Sequence, residues 1–251
     1  MARAESDRAR RLLMRVYRRL LDRHGHAGWW PGESAFEVCI GAILVQNTAW
    51  ANVERTLESL RARELLSFEA LDGMSVPRLA PLLRSSGTFR VKARRLRAFL
   101  DFLGTEYGGR VAGMRADRSG ALRRKLLAVP GIGPETADSI ALYAAGKPLF
   151  VVGAYTRRVF SRLGLLPGNR AGGARRSSSG SRPEGNSIPR RSQGYIEVQR
   201  HLMDRLPRSA ALYNDYHAQL VRLGKDHCRP RPRCAGCPRD DLCPKRGLPP
   251  S

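Results

Sequence analysis

The chain has 251 residues, with 45 lysines and arginines against 22 aspartates and glutamates, a formal charge of +23. That length buries a core without covalent staples. The charge points to a polyanionic partner, although only five of the cations are lysines, an arginine bias that a GC-rich coding sequence would also produce. No apolar stretch approaches the ~18–20 residues that span a bilayer. The arginine-rich N-terminus has no apolar core for a secretory signal. A cytoplasmic protein with no membrane partner is expected.

Helical periodicity runs through the chain. Leu12, Leu13, Val16, Tyr17, Leu20 and Leu21 form one apolar stripe on an arginine-rich helix. Ser34 is placed to N-cap a helix through Phe36, Ile40, Ile43 and Leu44, apolar on most faces and therefore central. Amphipathic segments follow at Val53–Leu60, Ser75–Leu83 (opened by Pro77), Val91–Leu103, Leu122–Ala128, Pro134–Ala145 and Tyr155–Leu163. Tyr195–Leu206 and Ser209–Gly224 continue the series, the last capped by Ser209 and closed by Gly224. Only Pro148–Val152 is strand-like, and it is too short to build a sheet. The fold class is all-α. Gly168–Gly194 carries Gly, Ser, Arg and Pro with almost nothing apolar, so it cannot offset its ordering entropy and is expected to be disordered.

Two stretches carry chemistry. In Val129-Pro130-Gly131-Ile132-Gly133-Pro134-Glu135-Thr136-Ala137 a helix ends, two glycines flank one aliphatic residue, and Pro134 opens the next helix at its favoured position. Both glycines are expected to take backbone angles closed to other residues and to leave N–H groups bare, a small pocket for one backbone phosphate. Ile132 would pin the turn from within. Near the C-terminus stand Cys228-x5-Cys234-x2-Cys237-x5-Cys243, while Cys39 lies apart in an apolar run. Four thiolates in one short loop read as ligands of one metal centre. A zinc ribbon usually has two Cys-x2-Cys knuckles and this loop has one, so an iron–sulfur cluster fits better, with zinc as the alternative and disulfides behind both.

On these residues the chain resembles the helix-hairpin-helix DNA glycosylase superfamily, in its endonuclease III-like branch, over about Trp29–Pro244. The likeness rests on Gly41-Ala-Ile-Leu-Val-Gln-Asn-Thr48, the Val129–Ala137 hairpin, Phe150–Arg162 and the cysteine loop. It implies two helical lobes with double-stranded DNA across the cleft. A monomer is expected. Residues 1–30 would form a helix packing on the cluster lobe, 31–150 the hairpin lobe, and 151–251 the cluster lobe, with the insert at 168–194 and the loop at 228–243. Cys228, Cys234, Cys237 and Cys243 would hold a 4Fe-4S cluster, although the first gap is five residues where the family has six. The metal is expected to be structural.

The resemblance implies base flipping, because a base inside a duplex is beyond reach. Gln46 matches the residue that fills the vacated stack, with Asn47 and Thr48 beside it; read without the family, these are a polar helix end. Pro130, Gly131, Ile132, Gly133 and Thr136 would hold DNA backbone. Trp29, Trp30 and Trp50, with Pro31 beside them, form a base pocket whose aromatic faces attract a cationic, alkylated purine, as in the 3-methyladenine-type members the pattern is similar to. As core filler, tryptophan needs no such role. Arg229, Arg231 and Arg233, between prolines in the cysteine loop, suit phosphate contacts.

The family's lyase lysine position is occupied by Glu135, which cannot form an imine, so the resemblance implies a monofunctional enzyme. The family's catalytic Asp position is Gly153, in Val151-Val152-Gly153-Ala154-Tyr155-Thr156-Arg157-Arg158. Glu135 or Asp138 could supply a carboxylate instead. The alternative is a catalytically inactive paralogue that binds damaged or distorted duplex.

Overall fold

The computed structural model describes residues 2–166 and 190–248, and every regular element among them is helical. In chain order the α-helices are α1 Ala2–His24, α2 Ala35–Leu44, α3 Trp50–Arg61, α4 Phe68–Leu71, α5 Val76–Leu82, α6 Phe89–Tyr107, α7 Ser119–Ala128, α8 Pro134–Ser139, α9 Ala154–Arg162, α10 Arg190–Met203 and α11 Ala210–Asp226. Pro148–Val152 joins no sheet among the described residues. No described helix is long and apolar enough to cross a membrane. Most of the expected disordered segment lies outside the described residues. Its last five positions, 190–194, are helical instead, because the buried Tyr195, Val198 and Leu202 stripe anchors α10 just beyond them.

The chain divides into two compact units. One comprises Gly28–Val151 with Ser209–Asn214. Its centre is α2, started by Ser34, whose Oγ accepts from the Glu37 N–H at 3.1 Å. Val38–Leu44 are buried, so this helix is apolar on nearly every face. Ile40 and Leu44 share a core with Val53, Leu57 and Leu60 of α3, Leu79 of α5, and Ala93, Leu96 and Leu100 of α6. Burial of each such leucine stabilises the fold by about 2 kcal/mol. The single-turn α4, capped by Ser67, is too short to show periodicity in the sequence. Beyond α8 the backbone widens into a π-type turn at Ile140–Ala144, closed by Ala145 N–H to Ile140 O at 3.2 Å.

The other unit comprises Met1–Ala27, Val152–Arg208 and Asp215–Ser251. Leu13, Val16 and Leu20 of α1 are fully buried in it. The Tyr17 hydroxyl donates to Asp215 at 2.8 Å, the Tyr216 hydroxyl to Leu13 O at 2.8 Å, and the Gln219 amide to Gly25 O at 2.6 Å. Ser209, which belongs with the first unit, caps α11 as its spacing predicts, accepting from the Leu212 N–H at 3.2 Å. Gly224, however, does not close that helix, which runs on to Asp226. A Cβ at Gly224 would stand 2.2 Å from the Tyr155 ring, so the glycine admits an aromatic side chain rather than ending a helix.

Candidate functional site

In the hairpin, α7 ends at Ala128 and the chain turns through Val129–Gly133, with Ile132 N–H bonded to Val129 O at 3.1 Å. Ile132 is buried. The two glycines differ. Gly131 has φ +85°, and a Cβ there would stand 2.4 Å from Arg95 Cγ, so glycine is required twice over. Gly133 has φ −90° and ψ 177°, which any residue adopts, contrary to the expectation that both need special angles. What Gly133 supplies is openness: no atom lies within 4 Å of where its Cβ would be, just before the N-terminus of α8. Beneath the turn, Asp138 is fully buried and held by Arg123, with Nε at 2.7 Å and Nη2 at 3.3 Å. That carboxylate braces α8 against α7 and is not available as a substitute for the missing one.

Gln46 comes just after Val45, the C-cap of α2. Its Nε2 donates to Gly131 O at 3.2 Å and to Thr136 Oγ1 at 2.8 Å, and Arg95 donates to its Oε1. Gln46, Thr136 and the hairpin therefore form one hydrogen-bonded group, closed by Arg95. Arg95 has no local signal in the sequence, being one arginine among several on an arginine-rich helix. Asn47 is exposed at φ +54°, a left-handed position asparagine tolerates. Thr48 turns its hydroxyl to the Asn52 amide at 2.9 Å.

The three tryptophans converge in the same unit. Trp30 meets Trp29 at 5.5 Å between ring centroids and Trp50 at 5.2 Å, edge to face. It also meets Tyr143, at 5.2 Å, on the π-type turn after the hairpin helix. A Cβ at Gly41 would reach within 3.3 Å of the Trp30 indole nitrogen, so the small residue seats the ring. Trp50 donates to Glu54 at 2.6 Å, and Pro31 is exposed at the edge. Burial first, and then the nearby Glu135 carboxylate, hold the Tyr143 hydroxyl well above its ordinary pKa; Trp29 works the other way. The phenol therefore keeps its proton, and Glu135, whose charge it feels, is exposed. Tyr143 is silent in the sequence because Ala-Leu-Tyr-Ala reads as ordinary core helix.

Gly153, in the other unit, is the N-cap of α9, with φ −82° and ψ −179° and no side-chain cap. The preceding Val152 N–H donates to the Tyr195 hydroxyl at 3.2 Å. Nothing in this backbone calls for glycine, and aspartate is among the preferred N-caps.

The four cysteines line one small cavity, together with Arg162, His227 and Arg239. No three His, Cys, Asp or Glu side chains among the described residues draw together tightly enough for a single ion. Arg162 Nη1 reaches Cys228 Sγ at 3.1 Å, and Arg239 reaches Cys228 Sγ at 3.0 Å and Cys243 Sγ at 2.9 Å. Arg158 binds Cys228 O at 2.5 Å and Gly224 O at 3.4 Å, fastening α9 to the start of the loop. Arg229, Arg231 and Arg233, in the first part of that loop, are all exposed.

Residues 40–179 match the family described as HhH-GPD superfamily base excision DNA repair protein. A curated relative from Methanocaldococcus jannaschii, named "Putative DNA repair glycosylase MJ1434", is 35% identical over 92% of this chain and 96% of its own length. Endonuclease III of Bacillus subtilis is 27% identical, over 83% of this chain and 80% of its own. A solved endonuclease III–DNA complex superposes with a TM-score of 0.69 at 22% identity, covering 94% of this chain and 95% of that one. A 3-methyladenine DNA glycosylase from H. pylori bound to 1,N6-ethenoadenine gives 0.62 at 23% identity, covering 88% and 97%.

Proposed function

This chain belongs to the HhH-GPD superfamily of base excision DNA repair proteins, and from that premise we propose that it is a monomeric, monofunctional DNA N-glycosylase acting on N-alkylated bases. Three indoles gathered on one another, with the Tyr143 ring against Trp30 and the Glu135 charge felt at that phenol, carry the proposal. Aromatic faces and a nearby carboxylate attract a cationic ring. Such a base is already charged before its glycosidic bond breaks and departs neutral, so it asks less of a catalytic carboxylate than a neutral base does. That matches a chain with glycine at 153. Glutamate at 135 excludes imine formation there, so strand cleavage by that route is not expected.

In this reading the extruded nucleotide leaves a gap that Gln46 fills, releasing its bonds to Gly131 and Thr136 as the hairpin takes a backbone phosphate. Cys228, Cys234, Cys237 and Cys243 hold a 4Fe-4S cluster; their spread around one cavity supports a cluster over a single zinc ion. When bound, that group ties the C-terminal loop together as a structural element. A second reading, a DNA-binding protein without catalysis, is favoured by one observation, the absent carboxylate at Gly153. The two separate on a panel of duplexes carrying 3-methyladenine, uracil or thymine glycol. Free methylated base with an intact abasic strand supports the first. Tight binding with no release on any duplex supports the second, and release of oxidised pyrimidine alone removes the alkylation assignment.

A further inference from the structure

Arg239 and Arg162 are the arginines buried among the described residues, 3% and 9% exposed. A guanidinium taken out of water requires an anion beside it. The two carboxylates that follow Arg239 in sequence are engaged elsewhere, Asp240 with Lys245 at 3.0 Å and Asp241 with Arg19 at 2.8 Å. The Arg239 fork closes instead on two sulfurs, Nη1 on Cys243 and Nη2 on Cys228, while its buried Nε has no hydrogen-bond partner among the described residues. Arg162 differs: beyond its one sulfur contact it spends its hydrogens on Arg229 O at 2.7 Å and Pro230 O at 2.9 Å.

We propose that Arg239 is the built-in counter-charge of the thiolate centre, bridging the Cys228 and Cys243 ligands and raising the reduction potential of the group they hold. The inference rests on the reading that the four cysteines carry a 4Fe-4S cluster. Four thiolates around a cluster make a dianionic unit, and accepting one electron makes it trianionic. A fixed cation with two N–H···S bonds favours the more negative form, since charge and hydrogen bonds at the sulfurs are among the quantities that set such potentials. Because Arg239 lies within the loop, between Cys237 and Cys243, its charge arrives with the ligands themselves.

The test is an electrochemical titration of the full chain, purified anaerobically, beside Arg239→Met and Arg239→Lys. The electrode supplies the electron. Arg239→Met is expected to weaken reduction at least tenfold, about 59 mV for a one-electron couple. Arg239→Lys keeps the charge but cannot fork across two sulfurs, and should fall between. Faster loss of iron to a chelator from folded Arg239→Met than from the unaltered chain also supports the bridge. Equal potentials and equal iron retention in all three overturn the proposal. Should the Met variant not fold, the Lys variant decides, and a potential unchanged from the unaltered chain overturns it. An unaltered chain without iron and sulfide removes the cluster reading itself, a result distinct from iron-loaded proteins of equal potential.

Discussion

Helices α8 and α9 both begin on a glycine in extended backbone, Gly133 at φ −90° and ψ 177° and Gly153 at φ −82° and ψ −179°, and neither start has a side-chain cap. At Gly133 the missing side chain is the useful property, because it leaves the helix N-terminus bare beside a turn suited to phosphate. At Gly153 the same omission removes the carboxylate that the resemblance expects, while the helix start keeps a shape aspartate would fit. Glycine at an N-cap costs only a few tenths of a kcal/mol against aspartate. The fold therefore tolerates either residue there, and the difference falls on chemistry.

That contrast can be broken or sharpened by substitution. The largest stability effect is expected beneath the hairpin. Arg123→Ala strips the guanidinium from the fully buried Asp138 and should cost on the order of 3 kcal/mol in denaturant unfolding. A neutral result would mean that α8 is not braced through this pair. Gly131→Ala comes next, because its positive φ and the Arg95 side chain both exclude a methyl group; a destabilisation of about 1–3 kcal/mol is expected. Gly133→Ala should leave stability within about 0.5 kcal/mol yet weaken duplex binding measured by fluorescence anisotropy. Unchanged binding would sever the open glycine from phosphate capture. Smallest is the joint change of Arg229, Arg231 and Arg233 to Ala, which should flatten the slope of log affinity against log salt by about 0.9 for each phosphate no longer neutralised. An unaltered slope would leave the loop without a role in holding DNA.

Local signals are legible where one residue and its near neighbours decide the outcome. Ser34 and Ser209 cap the helices their spacing predicts, and Ile132 lies inside the turn. What stays hidden depends on partners distant in sequence. Gly224 looks like a helix stop until Tyr155 is placed against it. Asp138 looks like a spare carboxylate until Arg123 closes on it. Arg95, Arg239 and Tyr143 carry no motif, and their roles appear only when the hairpin, the sulfurs and the indoles are brought to them. Charge pattern and periodicity report which face is wet; they do not report which cation meets which anion.

The proposed function turns on the start of α9, where the resemblance expects a carboxylate and the chain has Gly153. Base release from an N-methylated purine duplex, measured for the unaltered chain and for Gly153→Asp under single-turnover conditions, tests it most directly. Slow release by the unaltered chain is expected, with a gain of about a hundredfold in the variant and an unchanged unfolding midpoint. A folded, DNA-binding Gly153→Asp chain that releases base no faster would contradict it.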